Sequence, residues 1–250
     1  MFFARVGLTA RGIVYLLMGL LAYLLAGSSH VEVDQGSVLD KVFLRPGGRL
    51  LVGLIAIGFF CYALWRFFEA GFGVTGEKRG VGNRVISFVR GLIYLSLTVT
   101  AVSIYNGSRQ HQSTQQRSYA IDILSRPGGR VALGSLGFII IVVGIAGVYD
   151  GLNLKFMSHF QGEKLSSTTR IWISRLGQIG IISRGLVFVI IGSLLVSAAW
   201  RNNATKATGL DGALKTLKNE PFGGFLLILV AAGFVIFGIY GLAEARFQDI

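Results

Sequence analysis

Charged residues are scarce in this chain of 250 residues. They make up 14% of it, against about 25% in an ordinary soluble domain. Acids are the scarcer sign, with 12 Asp and Glu against 24 Lys and Arg, so the formal net charge is +12. Such a composition is atypical of a soluble enzyme or a disordered segment.

Cysteine and histidine are also rare. The single Cys61 excludes an internal disulfide. His30, His111 and His159 lie far apart in the sequence, without Cys or acid at ligand spacing, so we predict no metal site and no cofactor. No Ser–His–Asp or Cys–His set falls on repeated positions, and we predict that the protein is not an enzyme.

Apolar residues and glycine are abundant, at 52% and 35 residues respectively. A helix that crosses the bilayer core of about 30 Å needs about 20 mostly apolar residues. Six uncharged runs of comparable length occur, and they predict six transmembrane helices: Gly12–Ser29, Leu50–Trp65, Gly91–Ser108, Val131–Tyr149, Gly185–Trp200 and Pro221–Ala243. An even number of spans places both termini on the same side of the membrane. The Lys and Arg bias of the loops favours the cytoplasm for that side.

Two sequence patterns recur three times. The odd-numbered spans open on Arg-Gly, two aliphatic residues and an aromatic ring, at Arg11–Tyr15, Arg90–Tyr94 and Arg184–Phe188. The even-numbered spans open on a proline with a glycine two residues later, at Pro46, Pro127 and Pro221. An acid follows each proline after 23 residues, at Glu69, Asp150 and Glu244.

These patterns predict one membrane domain, residues 1–250, built from three copies of a helical hairpin. The repeats comprise residues 1–70, 80–151 and 171–246. Each copy crosses the membrane twice, so successive copies are parallel, and we expect an all-α bundle with pseudo-threefold symmetry about the membrane normal. Short interfacial helices are predicted before each proline, around Val38–Val42, Ala120–Leu124 and Leu210–Leu214.

The Arg-Gly-x-x-aromatic starts, the Pro-x-Gly turns and the terminal acids resemble a bacterial membrane-protein family catalogued as domain of unknown function 1206, which has three two-helix repeats. The resemblance covers nearly the whole chain. It implies a polytopic bacterial membrane protein and no particular activity.

The repeated charges are the candidate functional positions: Arg11, Arg90 and Arg184 with Glu69, Asp150 and Glu244. In each hairpin the odd-numbered helix starts where the even-numbered one ends, so arginines and acids share one membrane face. They either form ion pairs that join the hairpins, or line a pathway or an anion site. The aromatic residue one turn after each arginine is predicted to pack over its stem.

Glycines at repeated positions are predicted to allow close helix packing. They follow the arginines at Gly12, Gly91 and Gly185, and the prolines at Gly48, Gly129 and Gly223. Further glycines recur at equal offsets, with Gly19 matching Gly192 and Gly144 matching Gly238.

Two classes of function remain open from the sequence. One is the binding or passage of a small solute, ion or lipid near the pseudo-threefold axis. The other is a structural or accessory membrane protein that transports nothing and binds a protein partner, which the sequence does not identify. Attraction to the bilayer's anionic headgroups accounts for the basic residues, and no nucleic-acid partner is expected.

Overall fold

The computed structural model describes residues 2–27, 33–72, 81–107, 112–160, 166–203 and 209–247. Every element within these ranges is helical. In chain order the α-helices are α1 (Phe2–Gly27), α2 (Gln35–Phe43), α3 (Gly48–Phe72), α4 (Val81–Tyr105), α5 (Gln112–Leu124), α6 (Gly129–Leu152), α7 (Ser167–Trp200), α8 (Gly209–Lys218) and α9 (Gly223–Phe247). A short 3-10 helix, Lys155–Phe160, lies between α6 and α7.

Six of these helices, α1, α3, α4, α6, α7 and α9, are long and apolar enough to cross a membrane. The six predicted spans are therefore confirmed, but their boundaries are wrong at the arginines. Arg11 and Arg90 each lie nine residues inside their helices, and Arg184 lies near the middle of the 34-residue α7. Arginine is a good helix former, so the helix continues through a charge that ends an apolar run.

The same tight turn introduces α3, α6 and α9. The backbone N–H groups of Gly48, Gly129 and Gly223 donate to the carbonyls of the residues three before them, at 2.8, 3.0 and 2.8 Å. The residue after each proline has a positive φ, at Gly47 (74°), Gly128 (77°) and Phe222 (62°). Because that conformation is incompatible with an α-helix, each helix begins two residues after its proline, and not at the proline as the sequence predicts.

The three predicted interfacial segments are helical, as α2, α5 and α8. Each lies between the two long helices of one repeat. Among them, α5 contacts both α2 and α8, and the backbone N–H of Val33 donates to Asp211 on α8 at 3.1 Å. We call this end of the bundle the short-helix end, and the opposite end, which carries Glu69, Asp150 and Glu244, the acid end.

The closest helix pairs join different repeats. They are α3 with α4, α6 with α7, and α9 with α1. In each pair the second long helix of one repeat packs on the first long helix of the next, and the third repeat packs on the first. Within repeats, α1 packs on α3 and α7 packs on α9, whereas α4 and α6 make at most marginal contact.

Two of these pairs are antiparallel and share one glycine register. A Cβ added at Gly144 would lie 2.7 Å from the carbonyl oxygen of Gly185, and one added at Gly238 would lie 2.8 Å from that of Gly12. Seven residues after Gly185 on α7, Gly192 faces the carbonyl oxygen of Gly137. In the same way, seven residues after Gly12 on α1, Gly19 faces the carbonyl oxygen of Ala231. Backbones this close require glycine and permit extensive van der Waals contact.

The remaining predicted glycines are buried as well. Gly91 lies against the ring of Phe67, where an added Cβ would meet ring carbon Cε1 at 2.7 Å. Gly48, Gly129 and Gly223 pack directly on backbone carbonyls at the ends of α2, α5 and α8. These three therefore hold a turn, whereas Gly12, Gly91 and Gly185 lie between long helices.

Candidate functional site

The three repeated arginines lie at one depth. Arg11, Arg90 and Arg184 precede the last residues of α1, α4 and α7 by 16, 15 and 16 residues. At about 1.5 Å per residue this is roughly 24 Å from the short-helix end. A hydrocarbon core of about 30 Å that began at these helix ends would extend about 6 Å beyond the three Cα atoms.

Arg11 forms an ion pair with Glu244, which joins α1 to α9. Both side chains are 12% exposed. The Arg11 guanidinium also lies over the Phe237 ring, 5.5 Å from its centroid. This is the one repeated arginine that pairs with a repeated acid within the described part of the chain.

Glu69 forms an ion pair with an arginine of its own helix, α3. Its carboxylate accepts hydrogen bonds from Arg66 at 2.6 Å and from the Ser87 hydroxyl of α4 at 3.3 Å. Arg66 also donates to the Tyr62 hydroxyl at 2.6 Å and lies over the Trp65 ring at 4.5 Å. Sequence reasoning missed Arg66 because it does not recur in the other repeats. Its spacing of three residues from Glu69 on one helix was the available signal.

Asp150 and Arg184 form no ion pair with each other. Asp150 pairs with Lys155 at 3.6 Å, and both side chains are about half exposed. Arg184 has no carboxylate partner among the described residues, and its guanidinium lies over two rings, Phe188 at 5.3 Å and Phe237 at 5.0 Å. The predicted packing on the aromatic residue one turn later is thus confirmed for Arg184, whereas Arg11 uses Phe237.

Four arginines from four helices therefore converge near the acid end. Arg11 and Arg184 share the Phe237 ring, and Arg90 interacts electrostatically with Arg66, Arg184 and Arg11. We call Arg11, Arg66, Arg90 and Arg184, with Glu69 and Glu244, the arginine cluster. Its formal charge is +2, because four guanidinium groups face two carboxylates.

The cluster retains unused hydrogen-bond donors. The Nε atoms of Arg11, Arg66 and Arg184 are buried without a hydrogen-bond partner. A buried donor without an acceptor is costly, so an anion that accepts from these groups would be stabilised there. Oxyanions such as phosphate suit several guanidinium groups at once.

An apolar core closes the bundle on the short-helix side of the cluster. On α4 the stripe above Arg90 consists of Tyr94, Leu97, Ala101 and Ile104, all part of or packed against that core. The core also contains Val14, Met18, Phe59, Val187 and Phe234, which come from α1, α3, α7 and α9. Polar groups at the acid end thus give way to packed apolar side chains toward the short-helix end.

No metal centre is defined by the described residues. No group of three metal-ligating side chains occurs among them. His30 and His111 lie outside the described residues, and nothing is described of the His159 side chain. The arginine cluster offers guanidinium donors and carboxylate acceptors for ion pairs and hydrogen bonds.

Comparisons with known proteins agree with the repeats. The family described as "Domain of Unknown Function (DUF1206)" matches three stretches of the chain, residues 6–73, 86–153 and 179–248. The chain is 28% identical over 251 residues to a protein of Bacillus subtilis (strain 168) described as "Uncharacterized protein YxxB", covering 99% of this chain and 91% of that protein. No solved structure matches the chain. Three family matches over most of the chain, together with the six apolar helices, show that this membrane protein belongs to the DUF1206 family.

Proposed function

We propose that the protein binds an anionic ligand of the phosphate class in the arginine cluster. The observation that carries the proposal is Arg184, a guanidinium on a membrane helix that has no carboxylate partner among the described residues and a buried, unsatisfied Nε. A charge placed inside a membrane protein is costly and is ordinarily paired. An anion would supply the missing partner and match the cluster's formal charge of +2.

The apolar core supports binding in preference to passage. A conducting or alternating-access protein carries polar groups or broken helices at mid-membrane depth. Here the helices are unbroken at that depth, and buried side chains such as Met18, Phe59 and Phe234 fill the space between them. The cluster then acts as a binding site at the acid end and not as part of a conduit.

The pairing of the helices supports the finer architecture. Each close pair relates one repeat to the next, and the α9–α1 pair returns to the start. The equal register of Gly144 with Gly185 and of Gly238 with Gly12 adds to this. We propose three parallel hairpins about a pseudo-threefold axis, in a bacterial cytoplasmic membrane with both termini in the cytoplasm, and no enzymatic activity.

Anion binding is tested by thermal unfolding in an uncharged detergent, with phosphate compared with chloride at equal ionic strength. A ligand that binds the native state raises its unfolding midpoint. We expect phosphate to raise the midpoint of the natural protein, and Arg184→Ala to weaken the apparent affinity roughly tenfold or more, the effect of losing a charged hydrogen bond.

Arg130→Ala is the matched control, because Arg130 is an exposed arginine in the first turn of α6 at the short-helix end. It should respond to phosphate as the natural protein does. If neither phosphate nor an anionic phosphate ester raises the midpoint, the proposal fails, and the alternative of a structural or accessory membrane protein is favoured.

A further inference from the structure

The structure points to a source for this ligand. We propose that it is an anionic phospholipid of the bilayer, whose phosphate enters the arginine cluster sideways between α4 and α6. This inference rests on the proposed function and adds to it the chemical class of the ligand and its route.

The bundle has an opening within the second repeat. α1 packs on α3 and α7 packs on α9, but the equivalent helices α4 and α6 make at most marginal contact. At the short-helix end, α5 spans this separation, since it contacts α6 and also touches α2 and α8. The marginal contact between α4 and α6 concerns both helices along their whole length, and this includes the acid end, where Arg90 lies on α4.

Arg90 identifies the rim of that opening. It belongs to the stripe of α4 that carries Tyr94, Leu97 and Ala101 into the core, and yet it is exposed. Its neighbours include the like charges of Arg11, Arg66 and Arg184 on α1, α3 and α7. Its exposure, together with its place on this stripe, puts Arg90 at the edge of the packed core.

Apolar side chains flank Arg90 on its lipid-facing side. Ile86 and Ile93, four residues before and three residues after it, are 51% and 52% exposed, whereas Ser87 on the other side is buried. A guanidinium at the border of an exposed apolar stripe suits an amphiphile, which places a charged group at Arg90 and an acyl chain along Ile93. A free inorganic anion needs no such stripe.

The depth of the arginines agrees with a lipid headgroup. Their Cα atoms lie about 24 Å from the short-helix end, so a hydrocarbon core of about 30 Å that starts there extends about 6 Å beyond them. The exposed Arg90 has a long side chain that can extend from this depth toward the interface. Lipid phosphates of the same leaflet lie at that level, so lateral entry requires little vertical movement of the lipid.

The test uses the full chain in an uncharged detergent, with three probes: dihexanoyl phosphatidylglycerol, dihexanoyl phosphatidylcholine and inorganic phosphate. Ile93→Trp narrows the rim and leaves every arginine in place, and Ile86→Trp is a second rim variant in case the first fails to fold. Leu54→Trp is the matched control, because Leu54 on α3 is similarly exposed at 55%. The readout is the shift of the thermal unfolding midpoint with probe concentration.

We expect phosphatidylglycerol to raise the midpoint of the natural protein and of the Leu54→Trp variant, and phosphatidylcholine to leave it unchanged. The rim variants should bind phosphatidylglycerol at least tenfold more weakly and respond to inorganic phosphate as before. If the rim variants bind phosphatidylglycerol normally, the lateral route is wrong. A response to phosphate without one to phosphatidylglycerol refutes the lipid ligand and leaves the proposed function standing, whereas no response to either probe refutes both.

Discussion

At the scale of single residues, the three repeated acids occupy different environments. Glu244 is almost buried against Arg11, Glu69 is held by Arg66 and Ser87, and Asp150 is half exposed beside Lys155. Equal spacing in the sequence therefore does not give equal energetic roles. The stability of the fold should depend strongly on Glu244 and weakly on Asp150.

Glu244→Ala should lower the free energy of unfolding by about 3 kcal/mol, because it leaves Arg11 buried without its counter-charge. Asp150→Ala should lower it by less than about 1 kcal/mol, since exposed ion pairs contribute little. The free energy of unfolding in detergent measures both effects. Equal losses in the two variants would show that the Arg11–Glu244 pair does not stabilise the fold.

The Arg11→Ala/Glu244→Ala double variant separates the pair from the individual groups. Removing both charges leaves neither member of this ion pair without its partner, so the double variant should be more stable than Glu244→Ala alone. Additive losses would contradict this interpretation, because residues in direct contact are expected to couple.

At the scale of helices, the pairs α6–α7 and α1–α9 depend on glycines that face a carbonyl oxygen of the neighbouring helix. The third pair, α3–α4, has Thr98 at the position of Gly19 and Gly192. A larger side chain there keeps α4 from the same close approach. Helix α4, which borders the proposed opening, thus lacks at this position the glycine-to-carbonyl contact that the other two pairs have.

Gly144→Ala should destabilise the protein by about 1–3 kcal/mol, because its Cβ would lie 2.7 Å from the Gly185 carbonyl oxygen and the two backbones would have to separate. Gly71→Ala on α3 is the control, since nothing lies within 4 Å of an added Cβ there. The thermal unfolding midpoint in detergent compares the two variants. A similar midpoint for both would mean that the α6–α7 approach is looser than described.

At the scale of the whole molecule, the orientation follows from charge and remains a prediction. A reporter fused after Ile250 should be active in the cytoplasm, and one inserted at the exposed turn residue Gly47 should be active outside it. Alkaline phosphatase and green fluorescent protein fusions measure the two locations. The reversed result would place the arginine cluster at the outer leaflet.

The sequence alone predicts much of this architecture and little of its site. The six spans and the helices α2, α5 and α8 were predictable, since uncharged runs and repeated prolines mark them directly. The partners of Glu69 and Arg184 were not, because they depend on which repeat packs on which. The start of α7 was not predictable either, since Arg184 interrupts the hydrophobic run without ending the helix.

The cyclic pairing of the helices has a consequence for assembly. One hairpin carries both surfaces of the contact, since its second helix fits the first helix of another copy. Such a contact is heterologous, and three of them close a ring without a free surface. A chain with only one repeat would therefore be expected to assemble as a homotrimer of hairpins, whose three sites would be identical. Joining the copies into one chain allows them to diverge, so that a single repeat can lose its helix contact and open the ring at one place.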